Sequence, residues 1–381
     1  MRNILEKQLE EAIHGFQFEG RLKSAAVYGS GHINDTYLLI YEIGKMGSLK
    51  VILQRINRKI FTNPVELMQN IIGVTTYLKQ IIQKTGGDPE RETLNLIPAK
   101  DGKYYFVDSK GEYWRSYQFI TDASSYNLPE KPEDFYESAV AFGRFQKLLS
   151  DYPAETLHET IKGFHDTELR LKAFRDAIKK DSCRRAQEVQ KEIRFALEHA
   201  ELAGVFGNLF KNGEIPLRVT HNDTKLNNVL LDHVTGKGIC VIDLDTIMPG
   251  LSMNDFGDSI RFGASTAAED EKNLDLVSCS MELFELYTKG FLRECGEQLT
   301  AKEIELLPMG AKVMTYECGL RFLTDFLEGD QYFKIHRKEH NLDRCRTQFK
   351  LVEDMEKKWD RMKEIVEKIN NDRKQESMDP E

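Results

Sequence analysis

The sequence predicts an α+β protein of two lobes, a small N-lobe built on an antiparallel β-sheet and a larger, mainly helical C-lobe. Three observations predict it. Short apolar runs separated by turn residues are confined to residues 24–120. Helical spacing of apolar residues dominates from 133 to 369. Asp101-Gly102 and Lys110-Gly111 join neighbouring strand runs as hairpin turns do, because glycine accepts positive φ at little cost. The expected division is 1–120 for the N-lobe, 121–365 for the C-lobe and 366–381 for a polar tail.

In chain order, Leu5, Leu9, Ala12, Ile13 and Phe16 recur at helical spacing and predict a helix over 3–16. SAAVYGS (24–30), TYLLIYEI (36–43) and SLKVILQRI (48–56) read as strands. Pro64 opens a helix to about Gln83, since proline is tolerated where a first-turn N–H would be unpaired anyway. TLNLIPA (93–99), KYYFVDS (103–109) and EYWRSYQFI (112–120) complete the sheet. Helical patterns then cover 133–150, 166–180, 184–203, 270–294, 301–328 and 346–369. A cleft between two such lobes is a favoured place for a ligand.

Bulk properties exclude several classes. With 40% hydrophobic and 30% charged residues the chain can bury a real core, so a disordered chain is excluded. No apolar run approaches the roughly 18–20 residues of a membrane span. The N-terminal residues mix acids and lysines with apolar residues, unlike a secretory leader, and a cytoplasmic location is expected. The six cysteines form no CxxC pair and are expected as thiols. Net charge is −9, and the densest basic cluster, Lys179, Lys180, Arg184 and Arg185, is interrupted by Asp181. Neither nucleic acid nor membrane is therefore an expected partner. Nothing in the pattern fixes an oligomeric state.

The chemistry concentrates in LRVTHNDTKLNNVLLDHVTGKGICVIDLDT (217–246). His221-Asn222-Asp223 follows a β-like run, Asn228 stands five residues after Asp223, and Asp243 ends the strand ICVID. Phosphoryl transfer needs an aimed nucleophile and neutralised phosphate charge more than covalent help. Asp223 is the candidate to accept or hold a substrate hydroxyl proton, and Lys225 to set an ammonium near the transferring group. Asn228 and Asp243 offer hard oxygens of the kind Mg²⁺ takes along with phosphate and water. His221 reads as an orienting histidine. Asp255-Phe256-Gly257 spells a magnesium motif but lies too far beyond Asn228; Asp255 and Asp258 are expected to cap a helix or brace the loop.

On the nucleotide side, Gly29-Ser30-Gly31 joins the first two strands, where glycines let backbone N–H groups approach phosphates. His32, Asn34 and Asp35 stand at the mouth of this turn. Arg55 is the candidate cation for the phosphates, chosen on charge over Gln54, with Glu66 as a possible partner. Tyr117-Gln118-Phe119-Ile120 would form the hinge, with Gln118 in contact with the base.

These residues resemble the aminoglycoside phosphotransferase and choline kinase superfamily, and within it the N-acetylhexosamine 1-kinases. The resemblance is carried by GSGHINDTYLL (29–39), LQRIN (53–57), THNDTKLNNVLLD (220–232) and IDLDTIMPGLSMNDFGDSIRFG (242–263). It implies a bilobal protein-kinase-like fold, ATP and Mg²⁺ as cofactors, and phosphorylation of N-acetylglucosamine or N-acetylgalactosamine at the anomeric hydroxyl. It makes Asp223 the base, Asn228 and Asp243 the metal ligands, and His32, Phe262, Arg321 and Tyr332 sugar contacts. The rival expectations are another kinase of this superfamily, acting on an aminoglycoside, choline, homoserine or another sugar, and a non-catalytic kinase-like binding module.

Overall fold

The computed structural model describes residues 2–29, 33–44 and 47–378. The N-terminal helix α1 (Arg2–Gly15) leads into three consecutive antiparallel strands, β1 (Arg21–Val27), β2 (Asp35–Glu42) and β3 (Ser48–Arg55). Helix α2 (Pro64–Lys84) follows, started by Asn63, whose side chain accepts from the Glu66 N–H. After the short α3 (Pro89–Glu92) come β4 (Leu96–Ile97), β5 (Phe106–Val107) and β6 (Tyr113–Gln118). The sheet runs β1-β2-β3-β6-β4, with β5 also paired to β6. Helix α1, through Ala12, and Phe16 just after it cover one face, packing with Tyr37, Leu39, Leu53 and Trp114. The buried Trp114 indole donates to Asp108, which also accepts from Gln8 of α1.

The larger lobe opens with β7 (Ala123–Ser124), α4 (Pro132–Leu148), α5 (Thr167–Lys180), α6 (Gln190–Glu198) and α7 (Val205–Lys211). Four short strands carry the motif region: β8 (Arg218–Thr220), β9 (Val229–Asp232), β10 (Gly238–Val241) and β11 (Met248–Gly250). They form two small sheets, β10-β9-β7 and β11-β8. Helices α8 (Ser252–Gly263), α9 (Met281–Cys295), α10 (Ala301–Glu305), α11 (Leu307–Glu328), α12 (His340–Lys357) and α13 (Trp359–Met378) complete it. The main core gathers Phe256, Phe284, Tyr287, Phe291, Tyr316 and Leu320 from three of these helices. A second cluster joins Met68, Ile71 and Val74 of α2 to Phe142 and Phe145 of α4 and to Val229 and Val241 of the motif strands. This apolar seam fixes the N-lobe helix against the motif hairpin.

Several elements differ from expectation. The run 270–294 is helical only from Met281, where Ser280 caps the first turn by accepting from Leu283 N–H; residues before it form a loop. The run 301–328 breaks into α10 and α11 around Leu306, with Pro308 in the first turn of the second helix. The run 184–203 is divided by two 3-10 turns. Helix α13 continues to Met378, through most of the segment read as a polar tail. No helix among the described residues is long and apolar enough to cross a membrane.

Candidate active site

The loop from β8 to β9 is built by its own backbone demands. Asn222 sits at φ +63°, a left-handed conformation that needs outside support. Asp255, near the start of α8, provides it: its carboxylate accepts from the His221 N–H at 2.9 Å, the Asn222 N–H at 2.7 Å and the Gln146 amide at 2.7 Å. Burial pushes the Asp255 carboxyl up, although the facing His221 and these donors oppose it. Asp258, one turn on, accepts from the Thr224 N–H at 3.0 Å. His221 spans the loop, with Nε2 at 2.9 Å from the Ile242 carbonyl and Nδ1 at 3.3 Å from the Asp223 N–H. Both ring nitrogens are thus engaged by the loop backbone, the orienting role that the motif suggested.

Asp223 stands at the centre. Its carboxylate meets the Lys225 ammonium at 2.7 Å and accepts from the Asn228 amide at 3.0 Å. The Asn228 amide also donates to the Asp223 carbonyl at 2.8 Å. Partial burial pushes the Asp223 carboxyl up, but Lys225 and Asn228 outweigh it and hold it below the usual carboxylate range. The same contact holds the Lys225 ammonium above its ordinary value. Asp243 follows β10 at φ +58°. Its carboxyl is pushed up to about 7 by desolvation from the cleft walls, then by the Asp245 and Asp223 carboxylates, against the pull of Arg115 and Lys225.

Two cavities flank this centre. One, of about 460 Å³, lies between the sheet and the motif strands and is lined by Gly29, Gln54, Gln118, Asn227, Asn228 and Asp243 among others. The other, of about 410 Å³, lies on the C-lobe side and is lined by Asp223, Lys225, Arg261, Arg321 and Tyr332 among others. Asn228 borders the first and Asp223 the second, and a hydrogen bond joins the two side chains. A group held in one cavity would meet a group held in the other at this point.

The fold recurs in solved structures. The microcompartment-associated aminopropanol kinase superposes with a TM-score of 0.56 at 14% identity, over 95% of this chain and 98% of that one. Amicoumacin kinase hAmiN, solved with AMP-PNP and Ca²⁺, gives 0.56 at 13% identity over 92% and 96%. An aminoglycoside phosphotransferase from Alicyclobacillus acidocaldarius gives 0.54 at 10% identity over 97% and 95%. At these identities the likeness is one of fold, the bilobal kinase-like fold. Sequence decides the family: residues 24–276 match the phosphotransferase enzyme family, APH. The chain belongs to that family.

Within this phosphotransferase, Asp223, Lys225, Asn228 and Asp243 come together around the junction of the cavities. Gly29, at φ +79°, lines the first cavity, as does the Gln118 side chain. Ser30, Gly31 and His32 lie outside the described residues. The N–H groups of Gln118 and Phe119 are committed to the Asn95 and Lys50 carbonyls, so they are not spare donors for a base. Arg55 is not brought to the cleft: it pairs with Asp35, its cross-strand neighbour on β2, rather than with Glu66. Gln54 faces the cavity instead, donating to Thr36 at 3.0 Å and accepting from Arg115 at 2.8 and 2.9 Å. The cation behind this wall is Arg115 on β6, ion-paired with Asp245, which also accepts from Asn34 at 2.5 Å. Sequence reasoning missed Arg115, although it pairs directly with Gln54 across β3 and β6.

Arg321 and Tyr332 line the second cavity, whereas Phe262, half-buried on α8, lines neither; its neighbour Arg261 does. Arg321 does not pair with Asp325, the inexpensive i+4 partner. That carboxylate accepts from the backbone N–H groups of Gln331, Tyr332 and Phe333, folding the loop after α11 over the cavity.

Whether the site suits a metal and nucleotide can be judged from its donors. No cluster of three His, Cys, Asp or Glu side chains among the described residues would hold a metal alone. Asn228 and Asp243 supply two oxygens at one cavity, the pattern of a Mg²⁺ completed by phosphates and water. The Asp243 carboxyl stays raised even with Arg115 and Lys225 acting on it, and the buried Asn227 Oδ1 on the same wall has no partner. These residues fit a cation carried on an anionic ligand.

Proposed function

We propose that this chain is an ATP- and Mg²⁺-dependent kinase that phosphorylates N-acetylhexosamines at the anomeric hydroxyl to give the sugar 1-phosphate. Family membership supports phosphoryl transfer, and the two cavities meeting at Asp223 support a nucleotide on one side and an acceptor on the other. Asn228 and Asp243 would hold the metal, which when bound neutralises charge on the triphosphate. Asp223, kept ionised by Lys225, accepts the hydrogen bond of the acceptor hydroxyl and aims its oxygen in line. An anomeric hydroxyl is more acidic than an ordinary alcohol, so a base with a low pKa can serve. Lys225 stays charged beside the transferring group.

The observation that carries the acceptor class is Arg321. Its guanidinium lies 5.3, 5.9 and 5.5 Å from the ring centroids of Phe164, Tyr332 and Phe333, hydrogen-bonds Tyr332, and feels the Glu317 charge without a direct ion pair to any carboxylate among the described residues. The cavity it lines carries Lys225, Arg261, Arg321, Lys334 and Arg344 against Asp223, Asp258, Glu269 and Glu317. A wall without an acidic surplus disfavours a polycationic aminoglycoside or a quaternary amine. Aromatic rings beside spare donors favour a neutral sugar with its acetamido carbonyl. The test is a panel of acceptors with Mg-ATP, including N-acetylglucosamine, N-acetylgalactosamine, choline, homoserine and kanamycin. Turnover confined to the N-acetylhexosamines is expected. Turnover of an amine-bearing acceptor with none on these sugars would overturn the sugar reading.

A further inference from the structure

The peptide linking Asn222 to Asp223 is held from both sides. Its N–H, that of Asp223, reaches His221 Nδ1. Its carbonyl, that of Asn222, is met by His165 Nε2 at 3.1 Å. His165 lies on the segment before α5, far from the motif in sequence, with a side chain only 8% exposed. Its other nitrogen, Nδ1, lies 2.8 Å from a carboxylate oxygen of Glu317 on α11, whose side chain is 1% exposed. The second Glu317 oxygen accepts from the Thr167 hydroxyl at 2.6 Å.

A backbone carbonyl and a carboxylate oxygen are both acceptors. A ring lodged between them satisfies both only by donating from both nitrogens. His165 and His221 thus clamp one peptide from its two ends, the first at the carbonyl and the second at the N–H. Glu317 is the charged group in contact with His165; Arg321 from α11 and Arg170 from α5 act on Glu317, and Asp223 lines the same cavity as His165.

Glu317 stands one turn before Arg321, the i to i+4 spacing at which Glu and Arg ordinarily pair on a helix. They do not pair here, because both Glu317 oxygens are occupied. We infer that His165 is a positioning residue coupling acceptor recognition to catalysis: it fixes the carbonyl next to Asp223 and, by occupying Glu317, keeps Arg321 out of a direct ion pair with that carboxylate and facing the acceptor cavity. The inference rests on phosphoryl transfer at Asp223 and not on which acceptor the cavity takes.

The test uses the full chain with Mg-ATP and whichever acceptor of the panel wild-type protein turns over. His165→Leu, Glu317→Gln and the double variant are compared by steady-state kinetics. His165→Leu is expected to lower kcat and raise acceptor KM about 10-fold each, the size of one charge-assisted hydrogen bond. Nucleotide KM should stay within about two-fold, a split that general loosening of the fold would not give. In the double variant acceptor KM recovers, because a neutral amide in place of the Glu317 carboxylate no longer attracts Arg321, while kcat stays low. If His165→Leu fails to fold by near-UV circular dichroism, His165→Gln is read by the same split. ¹⁵N NMR of the imidazoles, assigned by the signal lost in His165→Gln, should show one ring protonated on both nitrogens at neutral pH. A neutral His165 ring, an unchanged acceptor KM, a nucleotide KM rising in step, or no recovery in the double variant would each overturn the inference.

Discussion

In the proposed function Asp223 carries the chemistry, and its environment predicts how the protein responds to change. Asp223→Ala removes the group that aims the acceptor hydroxyl, so kcat should fall by at least about 10²-fold, with nucleotide affinity retained. Turnover near wild type would move the role elsewhere. Asp243 predicts a pH effect. Its carboxyl is raised to about 7, so in the free protein it binds a proton that the unfolded chain releases near its ordinary value. Over that window the group lowers stability as pH rises, and a bound cation relieves the cost by favouring the ionised form. The increase in Tm on adding Mg²⁺ and AMP-PNP should therefore be larger at pH 8 than at pH 6. Asp243→Asn should flatten that difference, which separates it from titration of the nucleotide. The residues legible in the sequence are those the motif keeps together: Asp223, Asn228 and Asp243 fall within one loop and hairpin. Arg115 is not legible, because the Asp245 that gives it purpose is 130 residues away. His165 and Glu317 are 152 residues apart and show no local pattern at all.

At the scale of elements, α8 is the support on which the catalytic loop rests. Asp255 and Asp258 brace the loop from its first turns, and its other side lies directly on α11. That approach depends on two glycines. A Cβ on Gly257 would fall 2.2 Å from the Gly310 carbonyl oxygen, and one on Gly310 would fall 2.3 Å from the Met253 carbonyl oxygen. Gly257→Ala should destabilise the protein by about 1–3 kcal/mol, the usual cost of overpacking, seen as a lower urea midpoint at unchanged m-value. An unchanged midpoint would mean the helices separate freely. Helix α8 is also the element least visible in the sequence. Met253, Phe256 and Ile260 recur at helical spacing, but the polar residues between them, Asp255, Asp258, Ser259 and Arg261, are buried as well, and only three apolar positions announce the helix. The β2 and β3 strands, by contrast, alternate or sit in short apolar runs and are legible nearly to their ends. The break before α11 is explained by Pro308, and the late start of α9 by the cap at Ser280, local signals that apolar spacing alone overrides.

For the whole molecule, the apolar seam between α2, α4 and the motif hairpin sets the lobes so that two cavities converge on one hydrogen-bonded pair, Asp223 and Asn228. Convergence of this kind belongs to tertiary packing. The sequence could announce two lobes and a loop, but not that Arg321 would be left without a directly paired carboxylate while its helix neighbour Glu317 was taken. Those two facts are what support the proposed neutral, hydroxyl-rich acceptor. The most direct measurement is a ³¹P–¹H correlation spectrum of the product formed from N-acetylglucosamine and Mg-ATP. The proposed chemistry predicts a new phosphorus resonance coupled to the anomeric proton. A phosphorus signal coupled to the two C6 protons, or no sugar phosphate while another acceptor is consumed, would contradict it.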